Sequence, residues 1–529
     1  MKLSVNPARD PGGVALARNV REGNLSPWTP EDLVRFYRKE FGDSPLLVVT
    51  NREPIVYEDA GRWTLPPGGV SQTIHQLLGR VGGQWIALRD SDGPDFLQIP
   101  SPGSGAQNGE GGPGYRLERL SVPENLRDAH YSGFSNGVLW PFFHNETSRV
   151  GESEDCFSAY TQVNRRFAGA IINSLLNLPA GAIWVHDYQL ALVAREVRRM
   201  VGENTPPLSF FWHIPWVSIP EPESVSWLPE FVSALFSYDQ IGFQTPLYRE
   251  LFLETVRSLY GNRAKWDGTM LSVETSSGVR SLLLGVFPIS IDPLRFQRLS
   301  VEPEGKSRAM DFLDEQGLGP AVAGGKYLIS VDRLDYTKGF LERLDILDAL
   351  FLSHPQWVGR ISLLQIAPPT RQGLEEYRRY ADSVRNRVAA INATWGREGW
   401  TPVRMVEKAL DQSLLAPLYR MAEGVLITAT HDGMNLVAKE FLASQAGGAG
   451  VLFLSCHTGA AQTMDGVSLI DPLDSFRSAR VIHRELSRDR NFRRSRNHKA
   501  VATLHRNNVY RWMAENFFPL RSRTLFAWR

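Results

Sequence analysis

The sequence predicts an α/β protein of two domains, each built on a parallel sheet covered by helices. Its 529 residues exceed the roughly 100–200 residues of a single domain. Short apolar runs recur, and each ends in a polar or glycine-rich turn that helical periodicity follows; they are LLVVT, AIWV, LSFFW, YLISV, ISLLQI and GVLITAT. Strands that alternate with helices favour parallel sheets. In such sheets ligands bind at the carboxyl ends of the strands.

The same pattern predicts where the chain divides. Residues 1–45 form a polar N-terminal extension with one amphipathic helix predicted over Pro30–Phe41. That extension is a candidate cover for a surface or a support for a homo-oligomer. Residues 46–290 and 291–529 are predicted to form the two domains, with an irregular region near 300–325.

Composition argues against several classes of protein. Lysine and arginine number 58 against 57 acidic residues, which leaves a net charge of +1. This balance argues against nucleic acid or an anionic membrane as a partner, and no apolar run approaches the roughly 18 residues of a membrane span. Two distant cysteines, Cys156 and Cys456, argue against a disulfide framework and favour a reducing cytoplasm. The basic stretch 481–499 is interpreted as a solvated helix face, with nucleic-acid binding as the alternative.

Two cations follow the predicted strand YLISV, in the stretch VDRLDYTKGF. Arg333 and Lys338 lie in the loop after that strand. An arginine offers a planar fork of donors and a lysine a compact charge, a combination that suits a diphosphate. The alternative is a surface ion-pair cluster with Asp332 and Asp335.

A second cluster, THDGMNLVAKEF, follows the predicted strand GVLITAT. A helix is predicted to start near Leu436, and its unpaired N–H groups and partial positive charge suit a phosphate. Asp432 in the loop and Glu440 in the helix could accept hydrogen bonds from sugar hydroxyls. The alternative is an N-cap aspartate and an exposed helix glutamate.

Four further clusters place polar residues at predicted strand ends or helix starts. They are Arg52 in NREP with Gly68 and Gly69 in LPPGGVSQTIHQLL, His186 and Asp187 in WVHDYQLAL, His213 in FFWHIPW, and Arg371 in QIAPPTRQG. A glycine-rich helix start can approach a phosphate or sugar, although such a pair can also simply make a turn. Each histidine could equally be a buried, hydrogen-bonded core residue.

Several common catalytic motifs are missing from the sequence. No GxxxxGKS or GxxxxGKT is present, which argues against an ATP P-loop. No G-x-S-x-G elbow is present either. No paired cysteine or histidine spacing indicates zinc. The sequence therefore predicts neither a metal nor a cofactor.

The motifs HDYQLALVARE, HIPW, GFQTPLYR, DRLDYTKG, QIAPPTR and DGMNLVAKE occur in this order. Together they resemble the trehalose-6-phosphate synthase family of retaining glycosyltransferases, which is related to the glucosylglycerol-phosphate synthases. The resemblance runs from about Leu46 to about Phe517. It implies the GT-B fold, in which two Rossmann-like domains face each other across a deep cleft. The first would bind the acceptor, the second the nucleotide sugar, and the last helix would pack back on the first.

The resemblance also implies a reaction. Glucose would move from a nucleoside-diphosphate-glucose, most commonly UDP-glucose, to glucose 6-phosphate, giving trehalose 6-phosphate with retained configuration. No metal and no protein nucleophile would be needed, because the leaving diphosphate helps to deprotonate the incoming hydroxyl. The protein would contribute positioning and charge stabilisation.

The residue roles that the resemblance implies fall into three groups. The donor-binding residues would be Gly69, His213, Arg333, Lys338, Asp432, Gly433, Met434, Asn435, Leu436 and Glu440. The acceptor-binding residues would be Arg52, Tyr131, Trp140, Asp187 and Arg371. The residues closest to the chemistry would be Asp187, His213, Arg333 and Lys338.

Three departures from the family pattern concern the substrates. In GGQWIALRD, Trp85 matches the first tryptophan of the family's GLWFGW, but Leu88 replaces the second. In GAAQTM, Thr463 stands where the family has a donor-side glutamate. NREP resembles the HREP of glucosylglycerol-phosphate synthases, which use glycerol 3-phosphate.

Other motifs, namely DGMN, FSNGVLWP and the arginine of APPTR, favour glucose 6-phosphate as the acceptor. Glycerol 3-phosphate, a cyclitol acceptor as in pseudo-glycosyltransferases, and a non-catalytic sugar-phosphate-binding regulator are the alternatives. The nucleobase stays open among the uridine, guanosine and adenosine forms.

Overall fold

The computed structural model describes residues 27–57, 63–64, 69–101, 113–151, 154–276, 278–319 and 326–520. The chain forms two compact units. The first contains the residues up to Ile289 together with those from Val509 onward, and the second contains Ser290–Asn508. Most of the N-terminal extension, residues 1–26, lies outside the described residues. In the described part of the chain, no helix is both long and apolar enough to cross a bilayer.

The first unit is built on a ten-stranded sheet with the order β10-β11-β12-β9-β8-β7-β1-β4-β6-β5, and a two-stranded hairpin of β2 and β3. Its strands are β1 Leu46–Arg52, β2 Val56–Tyr57, β3 Trp63–Thr64, β4 Gly83–Leu88, β5 Phe96–Ile99, β6 Tyr115–Leu120, β7 Ala182–His186, β8 Leu208–Phe211, β9 Gln240–Phe243, β10 Ala264–Trp266, β11 Met270–Thr275 and β12 Gly278–Val286. The seven strands from β12 to β6 pair in parallel, while β10, β11 and β5 are antiparallel additions at the edges.

Helices accompany these strands in the first unit. The α-helices are Pro30–Phe41, Gly69–Val81, Glu124–Asp128, Trp140–Phe143, Glu154–Leu175, Val193–Val201, Leu228–Leu235, Pro246–Tyr260 and Val509–Phe517. Ala129–Leu139 is a π-helix, and the 3₁₀ turns are Thr147–Arg149, Tyr188–Leu190, Pro222–Ser224 and Gly261–Arg263. The helix predicted over Pro30–Phe41 has these same limits; Thr29 and Asp32 form a capping box that fixes its start.

The core of the first unit explains why its apolar runs become central strands. Every residue of β7, β8 and β9 is buried, as expected of parallel strands that helices cover on both faces. Trp184 of β7 packs against Trp512 and Phe517, with ring centroids 5.2 and 4.9 Å apart. The C-terminal helix Val509–Phe517 therefore completes the core of the first unit. Polar residues after β1, β7 and β8 consequently emerge at one edge of the sheet.

The second unit is built on a six-stranded sheet in the order β15-β14-β13-β16-β17-β18, and all of its strand pairs are parallel. Its strands are β13 Lys326–Val331, β14 Ile361–Ile366, β15 Val403–Val406, β16 Gly424–Ile427, β17 Val451–Ser455 and β18 Ser468–Ile470. Its α-helices are Pro293–Val301, Pro303–Glu315, Phe340–Ser353, Glu375–Trp395, Gln412–Met421, Leu436–Ser444, Gly459–Thr463, Ser475–Leu486 and Arg490–Arg506, with 3₁₀ turns at Tyr336–Lys338 and Pro355–Trp357.

One sequence-based expectation is wrong in this unit, and a second holds with one exception. The region near 300–325 was expected to be irregular, but residues Pro303–Glu315 form a helix that starts at a proline and buries Phe312 and Leu313. Its few apolar residues still form a face, because tertiary packing rather than composition stabilises most helices. The basic stretch 481–499 is mostly solvated, with Arg484, Arg488, Arg490 and Arg494 exposed, but it contains one buried arginine. The side chain of Arg493 is 4% exposed, and it pairs with Glu423 at 3.2 Å.

Candidate active site

The loop after β13 is held in a single shape by a cap and a glycine. The Asp335 carboxylate accepts hydrogen bonds from the Thr337 amide (3.1 Å) and hydroxyl (3.0 Å), which caps the 3₁₀ turn that ends at Lys338. Gly339 follows with φ +63°, and a Cβ there would lie 1.9 Å from the carbonyl oxygen of Thr428. Only glycine fits this position without strain. The loop is thus locked against the end of β16.

A buried arginine lies beneath this loop. The Arg343 guanidinium pairs with Asp332 at 2.6 Å and donates to the Thr428 hydroxyl at 3.0 Å and to the Lys338 carbonyl at 3.3 Å. Burial raises the pKa of Asp332, and the cations of Arg343 and Lys338 oppose that rise. Asp332 therefore forms its ion pair with the buried side chain of Arg343. The surface ion-pair cluster, the alternative for this motif, does not form around it.

Arg371 forms an ion pair with the second aspartate of the motif, Asp335. Its guanidinium, which is 5% exposed, lies 3.2 Å from the Asp335 carboxylate and also donates to the Tyr377 hydroxyl. Burial alone would raise the pKa of Asp335, but the cations of Arg371, Arg333 and Lys338 outweigh it and hold that pKa below its usual value. In this structure Arg371 supports the β13 loop from within the second unit. Its implied contact with an acceptor phosphate stays a prediction.

Asp332 and Asp335 form their ion pairs with Arg343 and Arg371. Arg333 and Lys338, the candidate cations for the donor diphosphate, are therefore available for other contacts. The Arg333 side chain is exposed and forms no ion pair within the described residues. The Lys338 ammonium lies 2.8 Å from the Asp432 carboxylate. This contact joins the loop after β13 to the loop after β16. A second contact joins the same two loops, because the Thr430 amide donates to the Thr337 carbonyl at 3.0 Å. Both predicted donor motifs therefore meet at the carboxyl edge of neighbouring strands.

The loop after β16 leads into the helix Leu436–Ser444 through a strained residue. Asn435 has φ +84°, and its side chain caps the helix by accepting from the Ala438 amide at 3.0 Å. Its amide nitrogen also donates to the Asp432 carboxylate at 3.1 Å. The alternative in which Asp432 is the N-cap is therefore wrong. A non-glycine residue held at positive φ is a mark of functional sites.

Glu440 is buried rather than exposed, so the alternative of an exposed helix glutamate is also wrong. Burial raises the pKa of Glu440 to about 7, while the neighbouring Tyr419 hydroxyl and Arg295 guanidinium partly oppose the rise. Burial likewise lowers the pKa of the adjacent Lys439 to about 7. Two titrating groups thus lie roughly one turn into this helix.

The turn after β17 closes on the same loop. The Gly459 amide donates to the Asp432 carbonyl at 3.0 Å, and a Cβ on Gly459 would lie 2.0 Å from the Gly433 carbonyl oxygen. Thr463 ends the short helix that follows, and its hydroxyl lies 3.8 Å from the Met434 sulfur. The residue that replaces the family's glutamate therefore contacts the candidate sugar-binding loop directly.

In the first unit, Arg52 and Tyr131 lie together. Arg52 ends β1, and its guanidinium is stacked over the Tyr131 ring, 5.6 Å from the centroid. Tyr131 belongs to the π-helix Ala129–Leu139, a rare conformation that occurs frequently at functional sites. Trp140 starts the next helix and is 6% exposed. Leu88 is the register partner of Arg52 on β4, so the departure in GGQWIALRD lies beside a candidate acceptor cation.

Asp187 and His213 lie together at the ends of β7 and β8. Asp187 has φ +73°, and its carboxylate accepts from the amides of Tyr188 (3.0 Å) and His213 (3.3 Å). His186 Nδ1 lies 3.0 Å from His213 Nε2. Burial lowers the pKa of His213 to about 3, and burial together with the neighbouring His213 holds the pKa of His186 well below its usual value. Both imidazoles are therefore neutral at physiological pH.

The remaining candidate for donor binding, Gly69, is the first residue of the helix Gly69–Val81.

Sequence reasoning missed the residues that support the site, namely Asp335 as a cap, Arg343 as an anchor, Thr428 as a contact and His186 as the partner of His213. The sequence carried no clear signal for Arg343, because FLERLDIL also contains Glu342 and Asp345 and therefore does not show which of its charged residues is buried.

Comparison with known proteins identifies the family. The model of glycosyltransferase family 20 matches residues 47–521. The chain is 32% identical over 460 residues to the UDP-forming alpha,alpha-trehalose-phosphate synthase 2 of Aspergillus niger, covering 84% of this chain and 90% of that one. A second relative, from Dictyostelium discoideum, is a UDP-forming alpha,alpha-trehalose-phosphate synthase A, 31% identical over 451 residues, covering 83% of this chain and 57% of that one.

Solved structures agree. The UDP-forming alpha,alpha-trehalose-phosphate synthase of Burkholderia xenovorans in complex with glucose-6-phosphate matches with a TM-score of 0.78 at 27% identity, over 90% of this chain and 100% of that one. An E. coli trehalose-6-phosphate protein bound with UDP-2-fluoro glucose matches with a TM-score of 0.77 at 27% identity, over 90% of this chain and 99% of that one. These matches confirm the predicted family and the GT-B fold class. The chain therefore belongs to glycosyltransferase family 20.

Proposed function

We propose that this protein transfers glucose from UDP-glucose to glucose 6-phosphate, with retained configuration, to form trehalose 6-phosphate and UDP. The observation that carries this proposal is the 2.8 Å contact between Lys338 and Asp432, which brings both donor motifs of a family 20 chain to one sheet edge. A cation that can hold a diphosphate then lies beside an acid that can hold a sugar. The two cysteines form no disulfide, and we place the enzyme in a reducing cytoplasm.

The second unit supplies the donor site in this proposal. Arg333, which is exposed, and Lys338 bind the diphosphate of the donor. The amides at the start of the helix Leu436–Ser444 contribute further donors and the positive end of the helix dipole. Asp432 and the backbone of Gly433 accept and donate hydrogen bonds to the glucose hydroxyls. Glu440 binds the ribose.

Charge stabilisation drives the chemistry. As the bond between glucose and the diphosphate breaks, negative charge grows on the leaving oxygen. Arg333 and Lys338 stabilise that charge, and the leaving diphosphate accepts the proton of the acceptor hydroxyl on the same face of the sugar. His213 stays neutral because burial holds its pKa at about 3. It therefore orients a sugar hydroxyl by hydrogen bonding and does not act as a cationic acid.

The first unit supplies the acceptor site. Arg52 binds the acceptor phosphate, because its guanidinium is exposed at the end of β1 and lies against the Tyr131 ring. Tyr131, Trp140 and Asp187 shape the pocket for the sugar, and Gly69 lets a helix start approach the donor. Arg371 reaches a phosphate only if its ion pair with Asp335 opens. Its main contribution is therefore to position the β13 loop.

One observation favours a second candidate, transfer to glycerol 3-phosphate. Leu88 is paired with Arg52 across β4 and β1 and is buried. It stands where the family's trehalose-phosphate synthases carry a tryptophan that lines the acceptor pocket. A smaller side chain beside the phosphate-binding arginine is compatible with a different acceptor. The arginine of APPTR and the intact DGMN still favour glucose 6-phosphate.

The deciding experiment measures UDP release from UDP-glucose with glucose 6-phosphate and, in parallel, with glycerol 3-phosphate. Release only with glucose 6-phosphate, and a phosphorylated non-reducing disaccharide as product, supports the proposal. Release only with glycerol 3-phosphate replaces it by the second candidate. No release with either acceptor, repeated with GDP-glucose and ADP-glucose, leaves a cyclitol acceptor or a sugar-phosphate-binding regulator.

An arginine pair provides the matched control for that experiment. Arg333→Ala removes the exposed cation at the carboxyl end of β13, whereas Arg360→Ala removes an exposed arginine just before the amino end of β14. We expect UDP release to fall at least about 100-fold in the first variant, the usual loss when one charge-stabilising donor is removed, and to stay unchanged in the second.

A further inference from the structure

The carboxyl ends of β17 and β18 place a cysteine beside an aspartate. The two strands pair in parallel with Ser455 opposite Ile470, so the next residues, Cys456 and Asp471, leave the sheet side by side. The Cys456 amide donates to the Ile470 carbonyl at 2.9 Å, which fixes their separation. The strand register, and not a local sequence motif, therefore creates this pair.

A histidine completes the cluster. His457 Nε2 lies 3.2 Å from the Asp471 carboxylate, and one ligand atom from each of Cys456, His457 and Asp471 lies within 4.8 Å of the others. The Cys456 side chain is exposed, while those of His457 and Asp471 are 32% and 38% exposed. An ion could reach all three groups, and solvent could occupy a further position.

Neighbouring hydrogen bonds hold the ligands in place. The Ser478 hydroxyl accepts from the Asp471 amide at 3.1 Å and donates to the Asp471 carbonyl at 2.7 Å. The Leu473 amide donates to the Asp471 carboxylate at 3.0 Å. The His457 amide donates to the Ser455 hydroxyl at 3.1 Å. Such outer contacts orient metal ligands and are a regular feature of metal sites.

The chemistry of the three groups selects a type of ion. Thiolate and imidazole are ligands of zinc-like cations, whereas Mg²⁺ and Ca²⁺ prefer oxygen. Zinc with three protein ligands keeps a fourth, open position for water. In a tetrahedral site with bonds of about 2.0–2.3 Å, neighbouring ligand atoms are roughly 3.2–3.8 Å apart. Because the three ligand atoms lie within 4.8 Å of one another, a contraction of at most about 1 Å brings them to that geometry.

We propose that Cys456, His457 and Asp471 bind a thiophilic divalent cation of the Zn²⁺ type, with an open fourth position. None of these three residues belongs to the proposed glucose-transfer site. The cluster lies next to the candidate sugar-binding loop, since the Asp432 amide donates to the His457 carbonyl at 3.3 Å. A cation bound to these three residues would therefore restrain the turn after β17, which contacts Asp432.

The test uses Co²⁺ as a spectroscopic probe on the full-length, tag-free protein, reduced and stripped with a chelator. We expect one tightly bound Co²⁺ per chain, with a sulfur-to-cobalt charge-transfer band and the intense d–d bands of tetrahedral cobalt. Zn²⁺ should displace the cobalt and abolish both sets of bands. The Cys456→Ser variant should lose the charge-transfer band. His457→Asn and Asp471→Asn should each weaken Co²⁺ binding at least about tenfold, as expected when a ligand is lost.

Three matched variants serve as controls. Cys156→Ser changes the other cysteine, His498→Asn an exposed histidine and Asp465→Asn an exposed aspartate; all three should bind Co²⁺ as the unmodified chain does. Circular dichroism establishes that each variant is folded before titration. The proposal is overturned if the unmodified chain shows no charge-transfer band, which would mean that the three groups contact only one another. It is also overturned if Cys156→Ser, rather than Cys456→Ser, removes the band, or if both His457→Asn and Asp471→Asn bind Co²⁺ with unchanged affinity.

Discussion

The Lys338 ammonium lies 2.8 Å from the Asp432 carboxylate, and both side chains are largely buried, with 13% and 14% exposed. These residues are 94 positions apart in the chain, one after β13 and the other after β16. The ion pair neutralises two buried charges and sets the distance between the loops that carry them. An anionic donor would meet a cation whose position is already determined, which reduces the reorganisation needed during the reaction.

Removing either partner of this pair should impair catalysis much more than folding. We expect Lys338→Ala to lower kcat for UDP release by at least about 100-fold, because one charge-stabilising donor is lost. Asp432→Asn, which preserves shape, should lower kcat/KM for the donor. The double variant should lose less than the sum of the two, with a coupling energy above about 1 kcal/mol. Additive losses would show that the two residues act independently.

Arg343 should contribute mainly to stability. Replacing it by leucine leaves the buried Asp332 carboxylate without its partner, which costs about 3–5 kcal/mol. Urea unfolding followed by fluorescence should show a lowered midpoint for the transition of the second unit. The control is Arg385→Leu, which removes an arginine that is 43% exposed and pairs with Glu407 at 2.6 Å. Such a surface pair is worth about 1 kcal/mol or less, and equal shifts for both variants would contradict the prediction.

A methyl group at Gly459 should displace the candidate sugar-binding loop. Its Cβ would lie 2.0 Å from the Gly433 carbonyl oxygen, which is backbone and cannot rotate away. We expect Gly459→Ala to raise the KM for UDP-glucose at least about tenfold, a loss of about 1.4 kcal/mol of binding. The matched control is Gly169→Ala within the helix Glu154–Leu175, where nothing lies within 4 Å of the added carbon. That change should stabilise the protein by about 0.5–1 kcal/mol. An unaltered KM in Gly459→Ala would mean that the loop is not part of the donor site.

Glu440 and Lys439 should give the stability a characteristic pH dependence. Burial raises the pKa of Glu440 to about 7, so the folded state binds the extra proton. Its stabilising contribution is complete below the unfolded pKa of about 4.3 and is lost as pH rises through about 7. Burial lowers the pKa of Lys439 to about 7, so its contribution increases from about pH 7 towards the unfolded pKa of about 10.4.

The two contributions together should therefore reach a minimum near neutral pH. Thermal unfolding at several pH values, before and after Glu440→Gln, measures the acid side of this dependence. We expect the variant to remove the decline in stability between about pH 4 and pH 7, whereas Lys439→Met should remove the rise on the alkaline side. If Glu440→Gln has the same pH slope as the unmodified protein between those values, Glu440 titrates normally.

Local sequence patterns were sufficient to predict the strands whose ends carry the candidate site residues. Apolar runs bounded by polar turns predicted β1, β7, β8, β13, β14 and β16. The helix Pro30–Phe41 was predicted from its amphipathic pattern. The motifs after these strands predicted the candidate site residues and the family. The pattern failed at Pro303–Glu315, where few apolar residues and several polar ones concealed a helix that packing stabilises.

The partner of each charged side chain was decided by tertiary structure alone. The sequence placed Asp332, Asp335 and Lys338 within one loop and allowed them to pair with one another, but in the structure they take Arg343, Arg371 and Asp432. Likewise, no pattern in the sequence indicated that Cys456 and Asp471 lie side by side. Pairing of this kind depends on which strands are neighbours in the sheet, here β13 with β16 and β17 with β18. The chain determined by itself what stands at the end of each strand; the order of the strands, which long-range packing sets, determined what each of those residues contacts.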